Sequence, residues 1–348
     1  MQFAPLGRTD IRVSRLCLGT MTFGHQNTEA EAHALLDAAF DAGLNCFDAA
    51  EMYPFPSAAE SFGFTESHIG TWLARPGNRA RAVVATKATG PGPRFEHIRG
   101  GDLRFGARQL RAAVEGSLRR LRTDYIDLYQ LHWPDRNTNR FGQLGYVHNP
   151  AADADMTPLE ETLAALDGLV RDGLVRAVGL SNENPWGLMR FLALADQGVG
   201  PRPVTVQNPY SLLNRTFEVG MAEVSLREEC GLLAYSPLGF GTLTGKYLDG
   251  PPAPGTRIHR YPHFQRYLKP AAVAATRDYV ALARDHGLDP AQMAIAYALS
   301  RPFMTSVIIG ATNLDQLANN IAAADLVLSD QVVAGIEAIH DGNSNPAP

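Results

Sequence analysis

The sequence predicts one (β/α)8 barrel, preceded by a β-hairpin and carrying long loops at its active-site end. Eight short runs recur along the 348 residues and are apolar on both faces, which is typical of parallel strands covered by helices. Helical patterns with readable ends lie between these runs. A barrel of this kind usually needs about 250 residues, which leaves room here for inserted loops.

Each predicted strand is a run of β-branched, aromatic or other apolar residues. In chain order the runs are RLCLG near Leu16, LNCFD near Cys46, AVVATK near Val84, YIDLYQLH near Leu128, VRAVGLSN near Val178, VTVQN near Val206, GLLAYS near Leu233 and SVIIG near Ile308. The segment before Leu16 contains the strand-like IRVSRL and predicts the hairpin.

The predicted helices begin at residues that can satisfy free backbone amides. Thr28 and Glu31 form a capping box, and Gly43 is expected to end that helix. The remaining signals are a start at Thr157, Pro158 and Glu160 with a stop at Asp172 and Gly173, starts at Asn184 with Pro185 and at Asp289 with Pro290 and Gln292, and helical patterns over Glu66 to Arg75, Ala107 to Arg122, Val219 to Glu229, and Leu314 to Ala322.

Three stretches are too polar and too rich in Pro and Gly to be barrel elements: Pro54 to Thr65, Trp133 to Met156, and Asp249 to Pro270. The third could be an interdomain linker, but the strand and helix alternation continues on both sides of it. This favours an active-site loop within a single domain spanning 1–348. The last residues, 341–348, are expected to form a flexible tail.

Composition bounds the class and the partners of the chain. With 45% hydrophobic and 19% charged residues it is typical of a soluble globular protein. The net charge of 31 − 36 = −5, without blocks of like charge, predicts neither a nucleic-acid nor a membrane partner. No signal peptide is expected, because the first twenty residues include four charged ones, and no membrane span is expected, because no run of about 18 apolar residues occurs. Cys17, Cys46 and Cys230 lie in apolar stretches and are expected to be reduced core thiols in the cytoplasm. The oligomeric state is not readable.

Four polar residues fall at or just after predicted strand ends, where the chemistry of such barrels gathers: Asp48, Tyr53, Lys87 and His132. Tyrosine, with a pKa of about 10, is too weak an acid to give up a proton readily at neutral pH. A nearby lysine ammonium favours the phenolate, an aspartate keeps that ammonium oriented, and a histidine can bond the same oxygen. Taken singly, each could instead be a structural residue, but their shared position favours one catalytic site.

The motifs that surround these residues resemble those of the aldo-keto reductase family, and within it the bacterial Tas-type NADP(H)-dependent members. In family order they are LGTMTFG, DAAEMYP, ATK, YIDLYQLHWP, VGLSNE, VQNPYSLLNR, AYSPLGFGTLTGKYL and IIGATNLDQLANNI. The resemblance implies NADPH-dependent reduction of aldehydes or ketones, with Asp48, Tyr53, Lys87 and His132 as the catalytic residues and Tyr53 as the proton donor. Ala49 and Pro54 replace the Thr and Gly of the commoner family motif.

The sequence has no G-x-G-x-x-G fingerprint, but GFGTLTG follows the seventh predicted strand, where barrels often bind phosphate. The resemblance implies an NADP(H) site that contains Thr20, Met21, Gln26, Asp48, Ser181, Asn182, Gln207, Tyr235, Ser236, Pro237, Leu238, Gly239, Gly241, Lys246, Gly310, Thr312, Gln316, Asn319 and Asn320. In this implied site Tyr235 stacks on the nicotinamide, and the GATNLDQLANN helix start meets the adenosine phosphate. Arg257 or Arg260 is a candidate for a further charge on a 2′-phosphate.

Two other functions compete with the reductase. Potassium-channel β subunits share these motifs, so a redox-sensing NADP(H)-binding partner subunit is an alternative, although the retained His132 favours turnover. A metal-dependent barrel hydrolase is disfavoured because the ten histidines lack ligand spacing, and no metal is expected. The carbonyl substrate is not encoded in any motif, but Trp133, Phe55, Phe62 and Phe264 suggest an apolar rim.

Overall fold

A closed barrel of eight parallel strands confirms the predicted fold in the computed structural model, which describes residues 1–261 and 265–348. β1 (Phe3–Pro5) and β2 (Arg12–Ser14) form the antiparallel hairpin that precedes it. The barrel strands are β3 (Leu16–Gly19), β4 (Cys46–Asp48), β5 (Val83–Ala88), β6 (Ile126–Leu131), β7 (Val175–Ser181), β8 (Thr205–Pro209), β9 (Gly231–Tyr235) and β10 (Met304–Gly310). Each pairs in parallel with the next, and pairing of β10 with β3 closes the barrel.

Helices cover the outside of the barrel. Those within the described residues are α1 (Glu29–Asp41), α2 (Phe64–Leu73), α3 (Asn78–Arg81), α4 (Ala107–Leu121), α5 (Leu159–Arg171), α6 (Pro185–Asp196), α7 (Met221–Arg227), α8 (Arg257–Arg260), α9 (Pro270–Asp285), α10 (Pro290–Leu299), α11 (Leu314–Ala322) and α12 (Asp330–Gly342). No helix within 1–261 and 265–348 has both the length and the hydropathy needed to cross a bilayer.

The helix starts test the capping predictions. Thr28 forms the expected capping box at α1, and Asp289 caps α10 by accepting a hydrogen bond from the Gln292 amide. The helix start predicted at Thr157, Pro158 and Glu160 is confirmed by α5, but the capping role of Thr157 is wrong, because Pro158 is the N-cap residue and its side chain forms no capping hydrogen bond. Thr157 Oγ1 instead accepts a hydrogen bond from the Phe105 amide, at 3.2 Å, so its partner lies in another loop.

Two further differences come from local backbone geometry. The helix expected over Val219 to Glu229 is divided, because a 3-10 turn (Thr216–Val219) ends at Gly220 and α7 begins after it. The long stretches predicted to be loops outside the barrel elements contain short helical turns, namely Pro150–Asp153, α8 and Gln265–Leu268. These turns satisfy backbone groups within otherwise irregular loops.

The hairpin covers the amino-terminal end of the barrel. Leu6, Ile11 and Val13 pack in one buried cluster with interior residues that include Cys17 and Cys46. Both thiols and that of Cys230 are buried and free, which confirms them as core cysteines. Because the hairpin fills this end, the carboxyl ends of the strands are the face on which a ligand site can open.

The last residues of the chain differ from the expected flexible tail. Pro346 and Ala347 are buried, and the Ala347 amide donates a hydrogen bond to the Leu213 carbonyl at 3.0 Å. Asn345 Oδ1 accepts a hydrogen bond from the Arg215 amide at 2.6 Å. These contacts hold the tail against the loop after β8.

Candidate active site

The four candidate catalytic residues converge at the carboxyl ends of β4, β5 and β6. Asp48 is the last residue of β4, Lys87 lies near the end of β5, and His132 directly follows β6. Tyr53 stands in the loop after β4, and its ring centroid lies 5.1 Å from Lys87 Nζ and 5.7 Å from the His132 ring. The spacing along the sequence therefore becomes one cluster in space.

An ion pair forms the base of this cluster. Lys87 is fully buried, and its Nζ donates hydrogen bonds to Asp48 Oδ2 at 2.8 Å and to the Ala49 carbonyl at 2.7 Å. Burial alone favours the neutral amine, but Asp48 and then Tyr53 outweigh it and raise the pKa of Lys87. Lys87 therefore carries its charge at neutral pH.

Tyr53 experiences opposing influences. Burial raises its pKa above the ordinary value, and the adjacent Lys87 ammonium opposes that rise. The expectation that the Lys87 ammonium gives Tyr53 a lowered pKa is therefore wrong, because burial raises the pKa by more than the ammonium lowers it. The phenol stays protonated at neutral pH, which is the state that a proton donor requires.

His132 is held neutral. Burial, and then the charge of Lys87, lower its pKa well below 6.5. Its buried Nδ1 has no hydrogen-bond partner in the described part of the chain. A neutral imidazole so placed can bond an oxygen near Tyr53 without adding a third charge to the site.

The predicted nicotinamide residues form a connected network beside the ion pair. Gln207 Nε2 donates to Asp48 Oδ1 at 2.8 Å, and Ser181 Oγ donates to the Gln207 carbonyl at 2.9 Å. Asn182 Nδ2 donates to the His132 carbonyl at 2.8 Å, while its Oδ1 accepts from the Tyr235 hydroxyl at 2.7 Å. The structure therefore brings together the ends of β7, β8 and β9 with the candidate catalytic residues.

The loop after β9 has the backbone of a glycine-rich cradle. Ser236, Gly239 and Gly241 all have positive φ values, of 56°, 53° and 86°. A Cβ atom at Gly241 would lie 2.7 Å from Lys246 Nζ, so the absent side chain leaves room for this ammonium above the loop. Pro237 and Leu238 complete the same turn, in which the Gly239 amide donates to the Ser236 carbonyl at 3.0 Å.

The predicted adenosine-phosphate residues gather at the start of α11. Thr312 is exposed, and both its amide and its hydroxyl donate to Gln316 Oε1. Asn320 Nδ2 donates to the Gly310 carbonyl at 3.1 Å. Asn319 faces α10 instead, with hydrogen bonds to Gln292 and Asp289, so its side chain is already occupied.

The structure distinguishes the two candidate arginines. Arg257 lies over the Phe240 ring at 4.3 Å, and its buried Nε has no hydrogen-bond partner among the described residues. Arg260 is exposed and donates to the Gly255 carbonyl. A buried N–H group without a partner is costly, so Arg257 is the better candidate for an anion.

The remaining early positions lie in the segment that follows β3. Thr20 is fully buried, and its amide and hydroxyl both donate to the Asp48 carbonyl, at 3.0 and 2.7 Å. Met21 is half-buried, and its sulfur lies 3.7 Å from Arg257 Nη2. Gln26 is half-buried in the adjacent turn. Thr20 therefore anchors the end of β4, and Met21 borders the Arg257 side chain.

Some of the aromatic residues expected at the rim of the site lie in the hydrophobic core instead. Trp133 is only 4% exposed and packs in a cluster with Met52, against which Phe55 and Phe62 are partly buried. Its indole Nε1 donates to the Pro91 carbonyl at 3.0 Å. Phe264 lies outside the described residues.

Two polar residues beside the site were missed from the sequence. Glu51, inside DAAEMYP, is 1% exposed and accepts a hydrogen bond from the Thr89 amide. Gln130, in the apolar run DLYQLH, is fully buried, and its Oε1 lies 3.3 Å from Gln207 Nε2. Both could have been identified in the sequence as polar side chains within an otherwise apolar strand or strand end, because buried polar groups need partners.

Comparison with known proteins agrees with this geometry. The family model described as "Aldo/keto reductase family" matches residues 15–341. The chain is 50% identical to "Protein tas" of Escherichia coli (strain K12), with 100% of both chains covered. It is 32% identical to "Probable voltage-gated potassium channel subunit beta" of Oryza sativa subsp. japonica, covering 97% of this chain and 96% of that one. It is also 32% identical to "L-glyceraldehyde 3-phosphate reductase" of Escherichia coli (strain K12), covering 99% and 94%.

A family match over most of the chain, with full-length relatives well above 30% identity, leaves no ambiguity about ancestry. The chain belongs to the aldo/keto reductase family, whose members are oxidoreductases that generally use nicotinamide cofactors.

Proposed function

We propose that the protein reduces aldehydes or ketones to alcohols with NADPH, in a reversible reaction. The observation that carries this proposal is the buried Lys87 ammonium, which is bonded to Asp48 at 2.8 Å and lies 5.1 Å from the centre of the Tyr53 ring. A charged lysine beside a protonated phenol is suited to an oxygen on which negative charge develops.

When bound, the nicotinamide cofactor supplies the hydride that the side chains lack. Tyr53 holds a proton for the carbonyl oxygen of the substrate, and Lys87 stabilises the phenolate that remains. Asp48, bonded to Gln207 on its other oxygen, keeps Lys87 charged and oriented. Neutral His132 contributes a hydrogen bond to the carbonyl oxygen of the substrate. These interactions strengthen as charge grows, so they stabilise the transition state more than the ground state.

The residues at the barrel mouth fit an extended dinucleotide phosphate. Ser181, Asn182 and Gln207 would hold the nicotinamide carboxamide, and Tyr235 would stack on its ring. The loop from Ser236 to Gly241 with Lys246 would hold the pyrophosphate, and the amides at the start of α11 with Gly310, Thr312, Gln316 and Asn320 would hold the adenosine end. Arg257 lies over Phe240 in the loop after β9, and its unpartnered Nε supports a phosphate beside that loop, because an anion would satisfy it.

The test is NADPH oxidation, followed by absorbance, across a panel of aldehydes and ketones with NADH as the control. The panel includes L-glyceraldehyde 3-phosphate, because one relative is named for its reduction. Tyr53→Phe should retain cofactor binding but lose turnover by about 10²- to 10⁴-fold, the usual contribution of a general acid. An active Tyr53→Phe variant would overturn the assignment of the proton donor.

The relative named as a potassium channel subunit supports one alternative, a redox-sensing NADP(H)-binding partner subunit. This alternative predicts a partner whose capture depends on whether NADPH or NADP⁺ is bound. Affinity capture with each cofactor form, compared with Lys246→Ala protein, tests it. Equal capture in both forms, together with turnover on the carbonyl panel, would exclude it.

A further inference from the structure

A buried carboxylate lies between two of the candidate catalytic residues. Glu51 follows Asp48 by three positions and precedes Tyr53 by two, and it is 1% exposed. Its Oε2 accepts a hydrogen bond from the Thr89 amide at 2.9 Å, and its own amide donates to the Lys87 carbonyl at 3.0 Å. Glu51 therefore joins the loop that carries Tyr53 to the end of the strand that carries Lys87.

Arg99 completes this link from a different loop. Its Nε and Nη2 bind the two oxygens of Glu51 at 2.9 and 3.1 Å, a forked geometry that fixes the carboxylate in orientation as well as in position. Nη2 also donates to the Thr89 carbonyl at 3.0 Å, and Nη1 donates to the Asp102 carbonyl at 3.0 Å. One guanidinium thus ties the Tyr53 loop and the β5 terminus to a third segment.

Neither residue touches the reacting atoms in the proposed function, on which this inference rests. We propose that Glu51 and Arg99 are positioning residues that set the separation between Tyr53 and Lys87 Nζ. The interaction of a charge with the phenol falls with distance, so a small displacement of the Tyr53 loop weakens it. A misplacement of 1 Å in such a site can cost about 10²-fold in rate.

The chain offers a matched control at the other end of the same strand. Asp127 is also 1% exposed, accepts a hydrogen bond from the Val84 amide at 3.0 Å, and pairs with Arg79 and with a second arginine, Arg176, each at 2.9 Å. It therefore repeats the acid, arginine and β5 amide arrangement at the amino-terminal end of the barrel. Asp127→Asn should destabilise the fold in the same way as Glu51→Gln while leaving the active-site loop in place.

The direction in which the Tyr53 pKa moves in a Glu51 variant distinguishes a positioning role from a direct electrostatic effect of the Glu51 charge. The charged or titratable groups around Tyr53 include Lys87, Asp48, Arg257 and the neighbouring His132. Those around Glu51 include Arg99, Arg120 and Tyr129. Removing the Glu51 charge, and leaving Arg99 unpaired, would by itself favour the phenolate and lower the Tyr53 pKa. Losing the contact with Lys87 while the phenol stays buried raises it.

The experiment measures tyrosinate formation by ultraviolet difference absorbance, in each variant and in the same variant with Tyr53→Phe added. In Glu51→Gln we expect the Tyr53 titration to move to higher pH and kcat to fall about 10- to 100-fold, with cofactor affinity retained. In Asp127→Asn the titration should not move. Arg99→Lys keeps the positive charge but cannot form both hydrogen bonds to Glu51, so it should shift the Tyr53 titration in the same direction as Glu51→Gln. It replaces Glu51→Gln in the test if that variant fails to fold.

An unchanged or lowered Tyr53 titration in Glu51→Gln and Arg99→Lys would overturn the inference, as would an equal shift in Asp127→Asn. The titration needs no turnover. If the wild-type protein reduces no carbonyl compound, the proposed function fails while the positioning of Tyr53 is still decided.

Discussion

Replacing Lys87 with Met removes the charge at the centre of the candidate site and keeps much of the side-chain volume. Lys87 Nζ lies 5.1 Å from the Tyr53 ring centroid. At an effective dielectric constant of about 20, two unit charges at this distance interact by about 3 kcal/mol. The Tyr53 pKa should therefore rise further in Lys87→Met, because the ammonium no longer opposes the effect of burial. We expect kcat to fall by about 10²-fold or more, since general acid catalysis depends on that pKa.

The same substitution leaves Asp48 buried without its cation, which should cost about 3–5 kcal/mol of stability. Adding Asp48→Asn removes the stranded charge, and Gln207 Nε2 can still donate to the new carboxamide oxygen. The double variant should therefore recover most of the free energy of unfolding, measured in urea, without recovering kcat, measured by NADPH oxidation.

Turnover that returns together with stability in the double variant would refute this reasoning, because the loss in Lys87→Met would then reflect unfolding. A Lys87→Met protein with wild-type kcat would refute it as well, since the phenol would then need no ammonium. Cofactor affinity, measured by the change in protein fluorescence, should be similar in the wild-type protein and in Lys87→Met.

Two further predictions follow from the electrostatics and the backbone. Burial, and then the charge of Lys87, hold the pKa of His132 well below 6.5, so this imidazole should stay neutral. A plot of kcat against pH, between about pH 6 and 9, should therefore contain no step that disappears in His132→Gln. Such a step in the wild-type profile would contradict the neutral assignment. Gly241→Ala should weaken NADPH binding, because the new Cβ would lie 2.7 Å from Lys246 Nζ. Gly255→Ala is the control, because the φ of Gly255, +84°, is close to the +86° of Gly241, while the new Cβ would lie in open space. Equal cofactor dissociation constants in the two variants would argue against a phosphate-binding role of the loop at Gly241.

The sequence predicted the elements whose signals are local. The strands, the capping box at Thr28 and the cap at Asp289 depend on residues within a few positions of one another, and the structure confirms them. Thr157 shows where such reasoning fails, since a hydroxyl beside a helix start can be used by a distant amide instead.

The sequence alone determined the barrel and the presence of polar residues at its strand ends, because periodicity and residue type are properties of neighbouring positions. The tertiary structure decided which polar groups meet. Arg99 lies 48 residues from Glu51 along the chain, Arg257 faces Met21 from 236 residues away, and Asn319 is turned to α10. No local pattern specifies such partners, because a buried charge or amide is satisfied by whichever distant group the closed barrel brings within hydrogen-bond reach.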